Sequence, residues 1–130
     1  MIIIDDKLLN NIITEAREND RLRKNFNIHN SLYDKVQQLL NALEPGTELP
    51  IHRHLHTHET YILIRGYLKL LIYNDSKILI EEHELSHTTG KYGVRIPNGT
   101  WHSIEVLETG TVIFEVKEGP YTPLSPGDML

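Results

Sequence analysis

The amino-acid sequence predicts an all-β domain fronted by one amphipathic α-helix. Three observations carry that expectation. Short apolar runs in the second half are cut by Gly-, Pro- and Asn-rich turns, the pattern of a sandwich or barrel. An apolar period of helical type is confined to the first stretch of the chain. Two histidine-bearing segments, one flanked by glycines and one by a Pro-x-Gly turn, sit where strands would begin and end.

Taken in order, Ile2 to Ile4 is read as a short strand. Leu8, Leu9, Ile12, Ile13 and Ala16 then recur at helical spacing, with Asp5 or Asp6 as N-cap and Asn19-Asp20 as the stop. Residues Arg21 to Asn30 are polar and without clear period. Two readings stand for them: a solvated connector, or an extended strip in which Arg23, Asn25, Asn27 and His29, all of one parity, face a binding cavity. Arginine there would suit a carboxylate or phosphate on a ligand. Val36 to Leu43 fits a helix or a strand; the strand is favoured because a sheet follows. Further strands are expected at Tyr61–Arg65, Tyr67–Tyr73, Ile78–His83, Val94–Ile96, Thr100–Val106 and Thr111–Lys117. The end, Gly119 to Gly127, is too rich in Pro and Gly for either regular element. Residues 1–30 are thus read as a helix and connector packed on the β structure, and 31–130 as one domain.

Bulk properties narrow the classes. The chain has 130 residues, 39% hydrophobic and 24% charged, sufficient for one modest core. It has no cysteine, so any metal must be held by nitrogen and oxygen. Met1-Ile2-Ile3-Ile4 followed by Asp5 and Asp6 lacks the basic flank and apolar length of a secretion signal, and no run approaches a ~20-residue membrane span. A cytoplasmic location is expected. Net charge is −5 with no long basic stripe, which argues against nucleic acid as a partner.

The chemistry concentrates in Gly46-x5-His52-x-His54-x4-Glu59-x6-Gly66 and Pro97-x-Gly99-x2-His102. His52 and His54 share a face if the segment is extended, whereas Glu59 has the opposite parity. The strand must therefore break, and His54 to His58 is read as the crossing to the next strand. Three imidazoles and a carboxylate suit one divalent transition ion such as Zn, Fe, Ni, Mn or Cu. The plainer alternative is a solvated or tag-like histidine run. Such a run would not ordinarily be followed by a glutamate, an apolar strand and a matching Pro-x-Gly-x-x-His. His56 and His58 are expected to be exposed, as are His83 and His87.

Along Thr111–Lys117, Val112, Phe114 and Val116 make one face apolar, while Glu115 and Lys117 share the other with Thr111 and Ile113. A solvated polar face is the ordinary reading. If the strand is central, Glu115 and Lys117 instead overlie a cavity and are candidates for proton handling. Tyr61 has the parity of Glu59 and is a candidate pocket wall, with core packing as the alternative. Trp101 points away from His102 and is assigned to core or a subunit interface.

These segments resemble the two cupin motifs. The first matches at every position, through Gly46, His52, His54, Glu59 and Gly66. The second matches at Pro97, Gly99 and His102, and departs at Lys91, where glycine is usual, and at Val106, where asparagine is usual. The resemblance implies a cupin jelly-roll β-barrel, with His52, His54, Glu59 and His102 as metal ligands inside its mouth. Whether Glu59 is a ligand or a base stays open. A narrower likeness joins Arg23-x-Asn25-x-Asn27-x-His29, Val36-Gln37-x-Leu39-Leu40-Asn41-Ala42-Leu43-x-Pro45-Gly46-Thr47 and Phe114-Glu115-Val116-Lys117-x-Gly119-Pro120-Tyr121. Together they resemble WbuC-type cupin-fold metalloproteins, often encoded among genes for bacterial O-antigen synthesis. The resemblance implies a homodimer. The ligand set, the polar strips near it and that gene neighbourhood together lead to the expectation of a metal-dependent enzyme on a small carbohydrate-derived substrate, isomerase- or epimerase-like. Glu59, Glu115 and Lys117 would be catalytic there, and Arg23, Asn25, Asn27, His29 and Tyr61 would contact substrate. An iron-dependent dioxygenase and a non-catalytic metal- or sugar-binding module are the rival expectations.

Overall fold

Helix α1 (Asp6–Glu18) starts where Asp5 caps it: the Asp5 side chain accepts a hydrogen bond from Leu8 N at 3.0 Å. It stops at Asn19, whose N–H closes on Ala16 O. The computed structural model describes residues 1–130. Ile2 to Ile4 form no strand; they lie exposed ahead of the helix, with no neighbouring strand to take their backbone groups.

Eight strands follow: β1 (Arg23–Asn27), β2 (Val36–Leu43), β3 (Glu59–Arg65), β4 (Tyr67–Tyr73), β5 (Leu79–Ser86), β6 (Gly93–Ile96), β7 (Trp101–Val106) and β8 (Thr111–Glu118). They make a five-stranded sheet, β1-β2-β8-β3-β6, and a three-stranded sheet, β5-β4-β7. All pairings are antiparallel. The expected all-β fold with one N-terminal helix is therefore present, but hydrogen bonding does not close it into a barrel. The two sheets face each other, and isolated bridges join segments outside them: His52 to His102 of β7 and to Met129, and Lys91 to Ser86 of β5.

Two apolar layers follow from alternation along the strands. Leu43, Tyr61, Leu63 and Ile113 of the large sheet meet Leu68, Leu70, Leu85, Ile104 and Val106 of the small one, forming the core between sheets. Leu40, Ala42 and Val112 point the other way and are covered by Leu9, Ile12, Ile13 and Ala16 of α1. β2 is buried on both faces, so its apolar run is nearly continuous and shows no clean period of two. That double burial is why its sequence fits a helix as well as a strand.

The polar stretch after α1 is not a bare connector. Arg23–Asn27 pairs residue for residue with Leu39–Leu43, placing Asn25 opposite Asn41. β8 is the middle strand of the large sheet, so its Glu115 and Lys117 face inward while Val112 lies under the helix. β5 begins at Leu79 and runs to Ser86, beyond the expected end at His83, because Leu85 still packs into the core. At the turn after β3, Gly66 has φ +91°, and a Cβ there would collide with the backbone of Thr111. The final segment binds back: Leu130 N donates to Ile51 O at 2.8 Å and Arg53 N to Asp128 O at 3.0 Å. No helix is long and apolar enough to cross a membrane.

Candidate metal centre

Glu59 opens β3 in the large sheet and His102 lies near the start of β7 in the small one; His52 reaches them from the segment bridged to β7. One ligand atom from each of His52, Glu59 and His102 lies within 4.8 Å of the others. Glu59 and His102 are 3% and 1% exposed, so the group sits inside the protein. His54 stands at its flank. Its Nε2 is 2.5 Å from Glu59 Oε1, and its ring centroid is 6.2 Å from that of His102 against 4.3 Å for His52. Three of the four expected ligands thus converge, and the fourth touches the carboxylate of the group.

The donors are set as a metal site requires. His102 Nδ1 lies 2.8 Å from Thr100 O, and His52 Nδ1 lies 2.9 Å from Pro50 O. A carbonyl only accepts, so each Nδ1 carries the proton and each Nε2 turns its lone pair inward. Glu59 Oε1 is buried without a well-directed hydrogen bond, even with His54 so close. A buried carboxylate oxygen left in that state is costly, and a cation would satisfy it. Two neutral imidazoles and a carboxylate therefore fit a divalent transition ion.

Burial lowers the His52 pKa to about 4, reinforced by the neighbouring His102. Burial likewise lowers that of His102, partly countered by Glu59. Both rings are therefore neutral, the form that binds metal. Burial alone would raise Glu59, but His54, His102 and Lys117 together hold it well below the usual carboxylate range. Glu115 goes the other way: burial and the charge of Glu59 raise it, with Lys117 and Asn41 opposing. Burial pushes the Tyr61 phenol well above its ordinary value, and its O–H makes a long 3.4 Å contact with His102 Nε2.

His52 and Glu59 of the group open onto a cavity of about 360 Å³, and His102 lies behind them, outside its lining. Arg23, Asn25, Tyr61, Glu115 and Lys117 line it, together with His52, His54 and Glu59. Asn27 and His29 do not. Asn27 is exposed beyond the rim, and His29 turns its Nδ1 to Gln38, 2.9 Å from Gln38 O and 3.1 Å from Gln38 N. His56 and His58 are exposed; Asn98 N donates to His58 Nδ1 at 3.0 Å. His87 is exposed and His83 half-buried. Trp101 is 4% exposed and carries the Arg53 guanidinium 4.5 Å from its ring centroid.

Two features escape sequence reasoning. Asn41 lines the cavity from within the apolar run of β2 and donates to Glu115 Oε1 at 3.1 Å. A lone asparagine in Leu39-Leu40-Asn41-Ala42-Leu43 is the signal that could have found it. The second is the tail: Tyr121, Thr122 and Leu124 wall the cavity, and Asp128 Oδ1 takes the Arg53 Nε–H at 2.8 Å. No local pattern marks that contact, which joins residues 75 apart.

Two facing antiparallel sheets with a histidine–carboxylate group between them make a cupin-like fold, and solved structures agree on that fold. KdgF from Halomonas sp. is similar at TM-score 0.59 and 14% identity, over 77% of this chain and 80% of that one. The capsular polysaccharide assembling protein CapF from Staphylococcus aureus gives 0.62 and 22%, over 86% of this chain and 32% of CapF. A variant of the Bacillus subtilis oxalate decarboxylase OxdC gives 0.55 and 21%, over 68% of this chain and 22% of that one. A search of curated proteins finds no match. The chain belongs to the family described as Domain of unknown function (DUF6016), whose model matches residues 4–85. That span holds His52, His54 and Glu59, and ends before His102, Glu115 and Lys117.

Proposed function

We propose that this protein is a metal-dependent enzyme acting on a small, polar, carbohydrate-derived substrate, of isomerase or epimerase type. The observation that carries the reading is the His52, Glu59 and His102 group, two of whose members, His52 and Glu59, line a cavity that also presents Glu115 and Lys117. A divalent transition ion on those three residues, with His54 as a fourth donor, would supply Lewis acidity toward a substrate carbonyl or hydroxyl oxygen. Glu115, with its proton affinity raised, gives and takes a proton at the neighbouring substrate atom. Lys117, whose Cα is paired with that of Glu59 across β3 and β8, offers a positive charge to substrate oxygens. Tyr61 closes the wall and excludes water. The WbuC-type likeness, with its tie to O-antigen synthesis, supports a sugar-derived substrate. CapF, a polysaccharide-assembling protein in its own organism, has the same fold.

The test is a panel of sugar phosphates and nucleotide-sugars incubated with metal-loaded protein in deuterated water. Exchange of a carbon-bound proton with at least one member is expected, and Glu115→Gln should reduce its rate at least 100-fold. Oxygen uptake in place of exchange would identify a dioxygenase, and binding without either reaction a non-catalytic module. We further propose a cytoplasmic homodimer joined through sheet edges. Exposed Ile78, Leu79 and Ile80 at and beside the edge strand β5 support it. Light scattering should give twice the chain mass of 15.1 kDa; a single-chain mass rejects the dimer.

A further inference from the structure

Arg23 is a cation without an anion. Its Nη1 donates to Glu48 O at 2.8 Å, and no carboxylate lies within ion-pairing distance of its guanidinium. Burial and the nearby Arg21 both bear on its charge, so the guanidinium stands in a positive, partly dehydrated setting. Arg21 and Lys24 share a shallow surface pocket with Arg23 outside the cavity, and Asp20 and Glu48 lie in the one beside it. Lys24 reaches only an exposed Glu15, at 3.9 Å.

Arg23 also lies within reach of the metal group. It rests on Glu48, four residues before His52, and four residues of extended chain span at most ~14 Å. Both belong to the same cavity. Between them runs a polar spine: Asn25 opposite Asn41 in the strand register, then Glu115. Asn41 is 9% exposed, its Nδ2 is taken by Glu115, and its Oδ1 accepts nothing. A buried carbonyl oxygen on a cavity wall without a donor calls for one from a ligand. Hydroxyl groups are such donors.

We infer that the cavity takes an extended, polyhydroxylated anion whose acid group, phosphate or carboxylate, is held by Arg23 at the rim while its oxygens at the other end meet the side of the metal group formed by His52 and Glu59. The placement at the inner end rests on the metal reading; the anion subsite does not. A guanidinium with unused donors binds either acid in a forked geometry. A neutral sugar leaves Arg23 unpaired.

The test is calorimetric titration of zinc-loaded and of metal-free protein with glucose 6-phosphate, glucuronate and glucose at low ionic strength. At least one of the two anions is expected to bind the zinc-loaded protein tenfold or more tightly than glucose, and their ranking tells phosphate from carboxylate. Arg23→Gln should weaken the anion at least tenfold, with zinc content and melting temperature unchanged, and Arg23→Lys should restore part of the loss. Glucose binding as tightly as both anions, no binding by either anion, or an unaltered anion affinity in Arg23→Gln would each overturn the inference. If the protein takes up no zinc, the metal reading fails by itself. The metal-free titrations then still decide Arg23, because its charge does not depend on the ion.

Discussion

His52 illustrates how one residue ties the site to pH. Its ring is half-buried with Nδ1 on Pro50 O, and desolvation lowers its pKa from 6.5 to about 4. The unfolded chain therefore takes up a proton before the folded one does. Stability of the metal-free protein should be full above pH 6.5 and decline as pH falls toward 4, by about 3 kcal/mol from this group. Glu59 adds to the loss at lower pH, since its depressed pKa stabilises the fold above 4.5 and is lost as pH falls below that. Urea unfolding at a series of pH values measures both windows. A stability that is flat between pH 6.5 and 4 would contradict the half-buried neutral ring. Glu115 has the opposite sign: its raised pKa favours the fold at low pH and costs stability as pH climbs past 4.5. Glu115→Gln should then raise the melting temperature at pH 8 and leave it unchanged at pH 4.

The elements that matter most are a strand and a tail. β2 lies between two apolar layers, so Leu40, fully buried under α1, has no room to be lost quietly. Leu40→Ala should cost about 2–5 kcal/mol by urea unfolding, and a cost under 1 kcal/mol would show that α1 settles onto the gap. The tail is held by Asp128, which accepts from Arg53, the residue between two histidines of the centre. Asp128→Ala should free the wall formed by Tyr121, Thr122 and Leu124. Zinc affinity should fall about tenfold, as for other residues that orient ligands indirectly, and proteolysis near residue 124 should rise. Unchanged zinc affinity would mean that the tail covers the cavity without steering the histidines.

For the whole molecule, legibility tracked the range of the interactions. The helix and its cap, the strands and their turns are local patterns, and the sequence read them to within a few residues. The convergence of His52, Glu59 and His102 could be read because glycine- and proline-bounded turns fix where strands start. What depended on sheet order was harder. That β8 is central, which turns Glu115 and Lys117 toward the cavity, follows from pairings between residues far apart in the chain. The open edges between the two sheets and the return of the tail to Arg53 are of the same long-range kind. Ile2–Ile4 show the converse: a strong local preference for strand yields nothing without a partner edge.

The run of four histidines from 52 to 58 has a thermodynamic reach beyond the native cavity. His56 and His58 point to solvent in the folded chain, yet in the denatured one they remain neighbours of His52 and His54. A random coil bearing four imidazoles so close together is itself a chelator, and any ion it captures subtracts from the protection that the same ion gives the native form. Added zinc should therefore raise the melting temperature less than the native affinity alone implies. Replacing His56 and His58 with asparagine, far from weakening the protein, should widen the gap between its loaded and bare melting points.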